Sequence, residues 1–177
     1  MVVVGQRSPL DLALESATTV TALLEQLVGE PLDAGERLHA VVHAVMPNEL
    51  EVAEGSLLLR RFALLRGRWS TQAFMQAESL IVPSRLPSSV CARLETTSDP
   101  IGRILAEEGL EFTRSALSAP QRSVASPPSC AVSAPPEILL TRTYRLDLET
   151  LPVMVITEWF LRALEPFLGS DRAAEPN

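Results

Sequence analysis

The sequence predicts a single α+β domain, an antiparallel β-sheet flanked by helices, and three observations carry that expectation. Stretches 36–46, 56–66, 73–82, 138–146 and 152–160 are apolar or β-branched, and several follow one another through short polar turns, as antiparallel strands do. Apolar residues recur at helical spacing before and between these stretches. The chain has 177 residues and is 46% hydrophobic, enough for one sizeable core and too short for two.

Val20, Leu23, Leu24 and Leu27 predict an amphipathic helix from about Thr19 to Val28, with Thr18 or Thr19 as its cap and Gly29 as its stop. It should cover the sheet, and Val20, in its first turn, is the residue placed to touch a ligand. The first strand ends at the turn signal Pro47-Asn48 and carries His39 and His43. Four residues along a strand span roughly 13 Å, so these histidines are not expected to share a metal, and both should face solvent. Gly67-Arg68-Trp69-Ser70-Thr71 joins the next two strands as a hairpin. Pro83, Pro87 and Pro100 then punctuate a section in which Val90, Leu94, Ile104 and Leu105 give apolar faces to two short helices, near 88–95 and 101–108.

Over 118–136 the pattern is lost. Pro120, Pro127, Pro128, Pro135 and Pro136 alternate with serines and alanines, which predicts a mobile loop or lid within the one domain, 1–177. Two strands and the short apolar tail Leu161–Leu168 complete the chain.

A formal charge of −7 offers no basic patch for nucleic acid or an anionic membrane surface, so an anionic ligand must be met by a few local arginines. No apolar run approaches the roughly 20 residues that span a bilayer, and the amino terminus lacks a charged region followed by an apolar one. A soluble, cytoplasmic protein is expected. Cys91 and Cys130 are isolated, without the spacing of a zinc site or a disulfide scaffold, and read as reduced cysteines. No metal and no cofactor are implied; the partner expected is a small molecule, with the chain a monomer or weak homodimer.

Because side chains alternate across a strand, each charge can be sorted by the company on its own face. Arg61 keeps company with Leu57, Leu59, Ala63 and Leu65, while Arg60 lies opposite with Leu58, Phe62 and Leu64. Arg142 falls with Ile138, Leu140, Tyr144 and Leu146, and Glu158 with Met154, Ile156 and Phe160. A charge on an apolar face is normally paired or turned to a cavity holding a charged ligand. Arginine presents a planar fork that matches a carboxylate, and a carboxyl there can donate to a substrate oxygen or accept from a hydroxyl. Either a ligand site or a structural Arg–Glu pair between adjacent strands satisfies the pattern.

Separated motifs carry a resemblance: Arg60-Arg61-Phe62-Ala63-Leu64-Leu65-Arg66-Gly67-Arg68, then Ala77-Glu78-Ser79-Leu80-Ile81 and Arg85-Leu86-Pro87, then Asp99-Pro100-Ile101-Gly102-Arg103-Ile104-Leu105, and last Arg142-Thr143-Tyr144-Arg145 with Ile156-Thr157-Glu158-Trp159-Phe160. In this order, from about Thr18 to Leu164, they resemble the chorismate pyruvate-lyase family, in its actinobacterial and cyanobacterial branch. The resemblance implies a chorismate lyase-like sheet with a small aromatic acid between sheet and helical flaps. It implies conversion of chorismate to 4-hydroxybenzoate and pyruvate without metal or coenzyme. Arg61 matches the arginine that binds the ring carboxylate and Glu158 the glutamate at the product hydroxyl, making this pair the catalytic candidates. Ile101 and Gly102 match a backbone contact, and Val20 an apolar pocket residue.

Where the ubiquinone-pathway enzymes carry a second arginine, this chain has Glu78 or Ser79, and Arg142 is the substitute its strand face favours over Arg103 and Arg145. The turn Leu148-Glu149-Thr150-Leu151-Pro152 lacks the glycines usual in related proteins. These departures leave two alternatives to the lyase: a repurposed cyclase or pericyclase acting on a polyketide-type intermediate in secondary metabolism, and a non-catalytic module that binds a small ligand.

Overall fold

The computed structural model describes Leu10 and residues 19–118 and 137–168. Helix α1 (Val20–Val28) is followed by strands β1 (Leu32–His43), β2 (Leu57–Gly67) and β3 (Ala73–Ile81), helices α2 (Ser88–Thr96) and α3 (Ile101–Glu107), and strands β4 (Phe112–Ala116), β5 (Ile138–Leu148) and β6 (Leu151–Leu161). Short 3-10 turns occupy Pro83–Arg85 and Arg162–Phe167. The strands form one six-stranded sheet in the order β1-β2-β3-β6-β5-β4, every neighbouring pair antiparallel. This is the α+β fold that the pattern predicts.

The caps of α1 lie where the residue types require them. Thr19 Oγ1 accepts from the Ala22 amide at 3.1 Å, and Gly29 closes the helix in the left-handed region at φ 75°. The apolar stripe of α1 then packs on one end of a sheet face: Val20 and Leu24 join Ala63, Leu65, Met75 and Phe160 in one buried cluster. Helices α2 and α3 cover the other end, where Val90, Leu94, Ile104 and Leu105 meet Ile81, Leu146, Met154 and Ile156. Each fully buried aliphatic side chain contributes on the order of 1.5–3 kcal/mol, so both ends of that face are firmly closed. Between them lies a cavity.

Four details depart from the sequence reading. Strand β1 begins at Leu32, because Glu25 Oε1 accepts the Leu32 amide at 2.9 Å and pairing with Gly67 starts there despite Gly35 and a break in register before Leu38. It ends at His43, where the Ala44 amide turns to Ser56 O. Strand β4 was not anticipated: Phe112-Thr113-Arg114-Ser115-Ala116 is short and mostly exposed, but its backbone is paired with β5. His39 is half-buried rather than facing solvent, whereas His43 is exposed with Nδ1 3.0 Å from Gly55 O. The two-residue turn between β5 and β6 puts Glu149 at φ 57°, the conformation for which glycine is the usual choice.

The loop or lid expected over 118–136 lies outside the described residues from 119 onward, as does Cys130. Among the described residues, no helix is long and apolar enough to cross a membrane.

Candidate functional site

One face of the sheet, from β2 across to β4, forms the floor of a cavity of about 710 Å³. Alternation places Arg61, Ala63 and Leu65 of β2 on this floor, with Met75, Ala77 and Ser79 of β3 and Ile156 and Glu158 of β6. Arg142, Tyr144 and Leu146 of β5 and Phe112, Arg114 and Ala116 of β4 complete it. The roof is the first turn of α1, with Val20 and Thr21, and the first turns of α3, with Ile101, Gly102 and Leu105. Val20, Arg61, Ile101, Gly102, Arg142 and Glu158, the six residues selected by sequence, therefore all line this one cavity.

Arg61 is 2% exposed, and its Nη2 donates to the backbone carbonyl of Asp99 at 3.3 Å. That carbonyl sits on a pinned loop. The Asp99 carboxylate accepts from Arg93 at 3.2 Å and from Arg103 at 3.5 Å, while Arg103 also reaches Glu25 and Leu32 O. Burial alone would push the Asp99 carboxyl up, but hydrogen bonds from Arg93 and Thr97 and the charges of Arg103 and Arg93 hold it below its usual value. The loop that leads into α3 is thus fixed to α1 and to Arg61 together.

Glu158 is 3% exposed and accepts through both oxygens. Arg142 Nε donates to Oε2 at 2.7 Å, and the Tyr144 hydroxyl donates to Oε1 at 2.9 Å. Arg142 and Glu158 are direct register partners on β5 and β6, so the ion pair between adjacent strands that the sequence left open is present for these two. Tyr144 is buried, which pushes its phenol well above the ordinary value, and the Glu158 charge pushes it further the same way. With Arg142 donating to one oxygen and the Tyr144 phenol to the other, each Glu158 oxygen keeps a lone pair that can accept from a ligand hydroxyl.

On β3, which lies between their strands, the register partner of Arg61, Ser79, is two positions from that of Glu158, Ala77. With strands about 4.8 Å apart and about 3.4 Å of rise per residue, the two Cα atoms stand about 12 Å apart on one face. Both side chains line the cavity from these positions.

Gly102 makes the roof possible. A Cβ there would lie 3.1 Å from Thr19 Cβ and 3.2 Å from Thr21 Oγ1, so any larger residue would press α3 away from α1 by a few tenths of an ångström. Tyr144 and Arg114 were the omissions of the sequence reading. In the sequence Tyr144 shares the Arg142 face, and only the pairing of β5 with β6 brings it to Glu158. Arg114, whose Cζ lies 4.7 Å from the Tyr144 ring centroid, was missed because its strand was.

No protein-family model matches the chain. It is 33% identical to a protein named chorismate pyruvate-lyase from Mycobacterium tuberculosis (strain ATCC 25618 / H37Rv) over 108 residues, covering 60% of this chain and 54% of the relative. It is 32% identical to the protein of that name from Mycobacterium leprae (strain TN) over 119 residues, covering 66% of this chain and 56% of the relative. The chain thus spans about half the length of the curated relatives it matches. Among solved structures, PhnF from Mycobacterium smegmatis superposes with a TM-score of 0.57 at 12% identity, over 82% of this chain and 64% of that one. The effector domain of PhnF from the same organism gives 0.51 at 12% identity, over 82% and 89%. At this identity the two structures share the fold alone.

Proposed function

We propose that this chain, a sequence relative of the mycobacterial chorismate pyruvate-lyases, is a lyase that converts chorismate to 4-hydroxybenzoate and pyruvate. The observation that carries the reading is the pair Arg61 and Glu158 on one floor of the cavity, about 12 Å apart at Cα by strand spacing and rise. In this reading Arg61 binds the ring carboxylate, and Glu158, accepting from Arg142 and Tyr144, also accepts from the ring hydroxyl. Val20 and Ile101 close over the ring, and Gly102 sets how low the roof sits.

Little else is asked of the protein. The ring carbon bearing the hydroxyl loses its hydrogen, and the neighbouring carbon loses its bond to the enolpyruvyl oxygen. The hydrogen ends on the side-chain methylene carbon, which becomes the methyl group of pyruvate. The ring becomes aromatic, so the driving force lies in the substrate. Catalysis then consists of holding the ring at both ends, bringing the breaking C–H bond beside the departing fragment, and excluding water.

A second reading rests on cavity size. About 710 Å³ lies within the range that accepts drug-sized ligands and exceeds what a one-ring acid fills, which favours a repurposed cyclase acting on a larger intermediate. Incubating the protein with chorismate tests the first reading. Pyruvate and 4-hydroxybenzoate should form in equal amounts; their absence, with 4-hydroxybenzoate still bound at the Arg61 site, rejects the lyase and leaves the cyclase and ligand-binding alternatives.

A further inference from the structure

Among the described residues, three arginines line the cavity, and two of them are already engaged. Arg61 Nη2 meets the Asp99 carbonyl, and Arg142 Nε meets Glu158. Arg142, the substitute favoured by sequence for a second acidic group, therefore has its Nε committed to the ion pair with Glu158. The third arginine, Arg114, is on the edge strand β4 and reaches the same cavity from its exposed side. Among the described residues, no carboxylate lies within ion-pair distance of it. Its guanidinium instead lies over the Tyr144 ring, with Cζ 4.7 Å from the centroid. A contact of this kind holds the cation over the ring without consuming its N–H donors.

The register shows where Arg114 stands relative to Arg61. The row through Arg61 runs across the sheet by Ser79, Ile156 and Tyr144 to Ala116, and Arg114 is two residues along β4 from that last position. Arg61 and Arg114 thus face each other from opposite sides of the floor, with Tyr144 between them. One is sealed, at 2% exposure, and the other opens to solvent. A ligand spanning them carries one acidic group inward and a second at the mouth.

We propose that Arg114 anchors a second carboxylate of the ligand at the mouth of the cavity, and so sets a preference for dianionic over monoanionic ring acids. The inference rests on the ring-acid reading of the site. The mouth then holds the acidic fragment that separates from the ring, at the side from which that fragment can leave. Glu111, which also lines the cavity and is exposed, opposes a second anion there and supplies an independent test of sign.

The test is equilibrium binding, by titration calorimetry, of 4-hydroxybenzoate and of 3-(carboxymethoxy)-4-hydroxybenzoate, a stable aromatic dicarboxylate. The wild type and the variants Arg114→Gln, Glu111→Gln and Arg61→Gln are compared. Arg114→Gln should weaken the dicarboxylate about tenfold, the loss expected of one charge-assisted contact at a wet site, and leave the monocarboxylate within about twofold. Glu111→Gln should tighten the dicarboxylate alone, and Arg61→Gln should weaken both. Equal losses for both ligands in Arg114→Gln, no loss for either, or a wild type that does not bind the dicarboxylate overturns the proposal. Release of pyruvate from chorismate by the wild type, measured alongside, reads the lyase function separately. A selective loss without pyruvate retains Arg114 and rejects the lyase; pyruvate without a selective loss does the reverse.

Discussion

Arg142 and Glu158 stand directly opposite one another on neighbouring strands, and the 2.7 Å hydrogen bond between them is buried, with side chains 10% and 4% exposed. Removing one member of such a pair strands the other charge away from water, whereas removing both leaves no charge to satisfy. Arg142→Leu is therefore expected to lower unfolding stability by about 3–5 kcal/mol, and Arg142→Leu/Glu158→Leu to cost less than the single change. Urea unfolding of the two variants checks the order.

Tyr144 is the one tyrosine of the chain, so tyrosinate absorbance near 295 nm reports on it alone. Burial first, and the Glu158 charge second, raise its phenol well above the ordinary value. The native protein should show no tyrosinate signal through pH 10, while the urea-unfolded chain titrates near 10. The sign for stability follows. The unfolded state releases this proton at lower pH than the folded state, so the contribution is complete below the unfolded value and is lost as pH rises from there through the folded one. In Glu158→Gln the second cause is gone, and the native titration should move down.

At Gly102, two effects of opposite sign can be weighed. Alanine gains about 0.8–1 kcal/mol of helix propensity over glycine, but its Cβ would stand 3.1 Å from Thr19 Cβ, so α3 must give by a few tenths of an ångström. Gly102→Ala should change stability by less than about 1 kcal/mol while weakening 4-hydroxybenzoate several-fold, because the part that moves is the roof. Calorimetric binding and thermal unfolding on one sample separate the two.

The cap of α1 gives a simpler expectation. Thr19→Ala removes the acceptor for the Ala22 amide and should cost about 1 kcal/mol, seen as a lower urea midpoint with an unchanged slope.

Much of the site was legible because strand alternation is strict. Arg61, Arg142 and Glu158 all point to the face the pattern assigned them, and that face is the cavity floor. Apolar company alone did not separate Arg61 from Arg60, since Phe62 and Leu64 on the opposite face are also buried. What separates them is the partner: Arg60 meets Glu78 at 2.6 Å with its side chain 38% exposed, whereas Arg61 is buried and its Nη2 meets the Asp99 carbonyl. Strand β4 left no trace in the sequence because an edge strand needs backbone partners and no apolar face, and Arg114 was hidden with it. The partners of Glu158 were open for another reason. Periodicity gives the face of a side chain, but only the register between β5 and β6 decides that Arg142 lies opposite Glu158 and that Tyr144 lies within reach.

The most direct measurement of the central claim, that Arg61 and Glu158 grip the two ends of one aromatic acid, compares benzoate with 4-hydroxybenzoate across the wild type, Arg61→Gln, Arg60→Gln and Glu158→Gln. The wild type should prefer the hydroxylated acid. Arg61→Gln should lose roughly 100-fold for both ligands, as a buried charge-assisted pair of hydrogen bonds does. Glu158→Gln should remove most of the preference, and Arg60→Gln, on the opposite face, should bind like the wild type. If Arg61→Gln binds both acids as tightly as the wild type, the assignment of this cavity to a ring acid held by Arg61 is wrong.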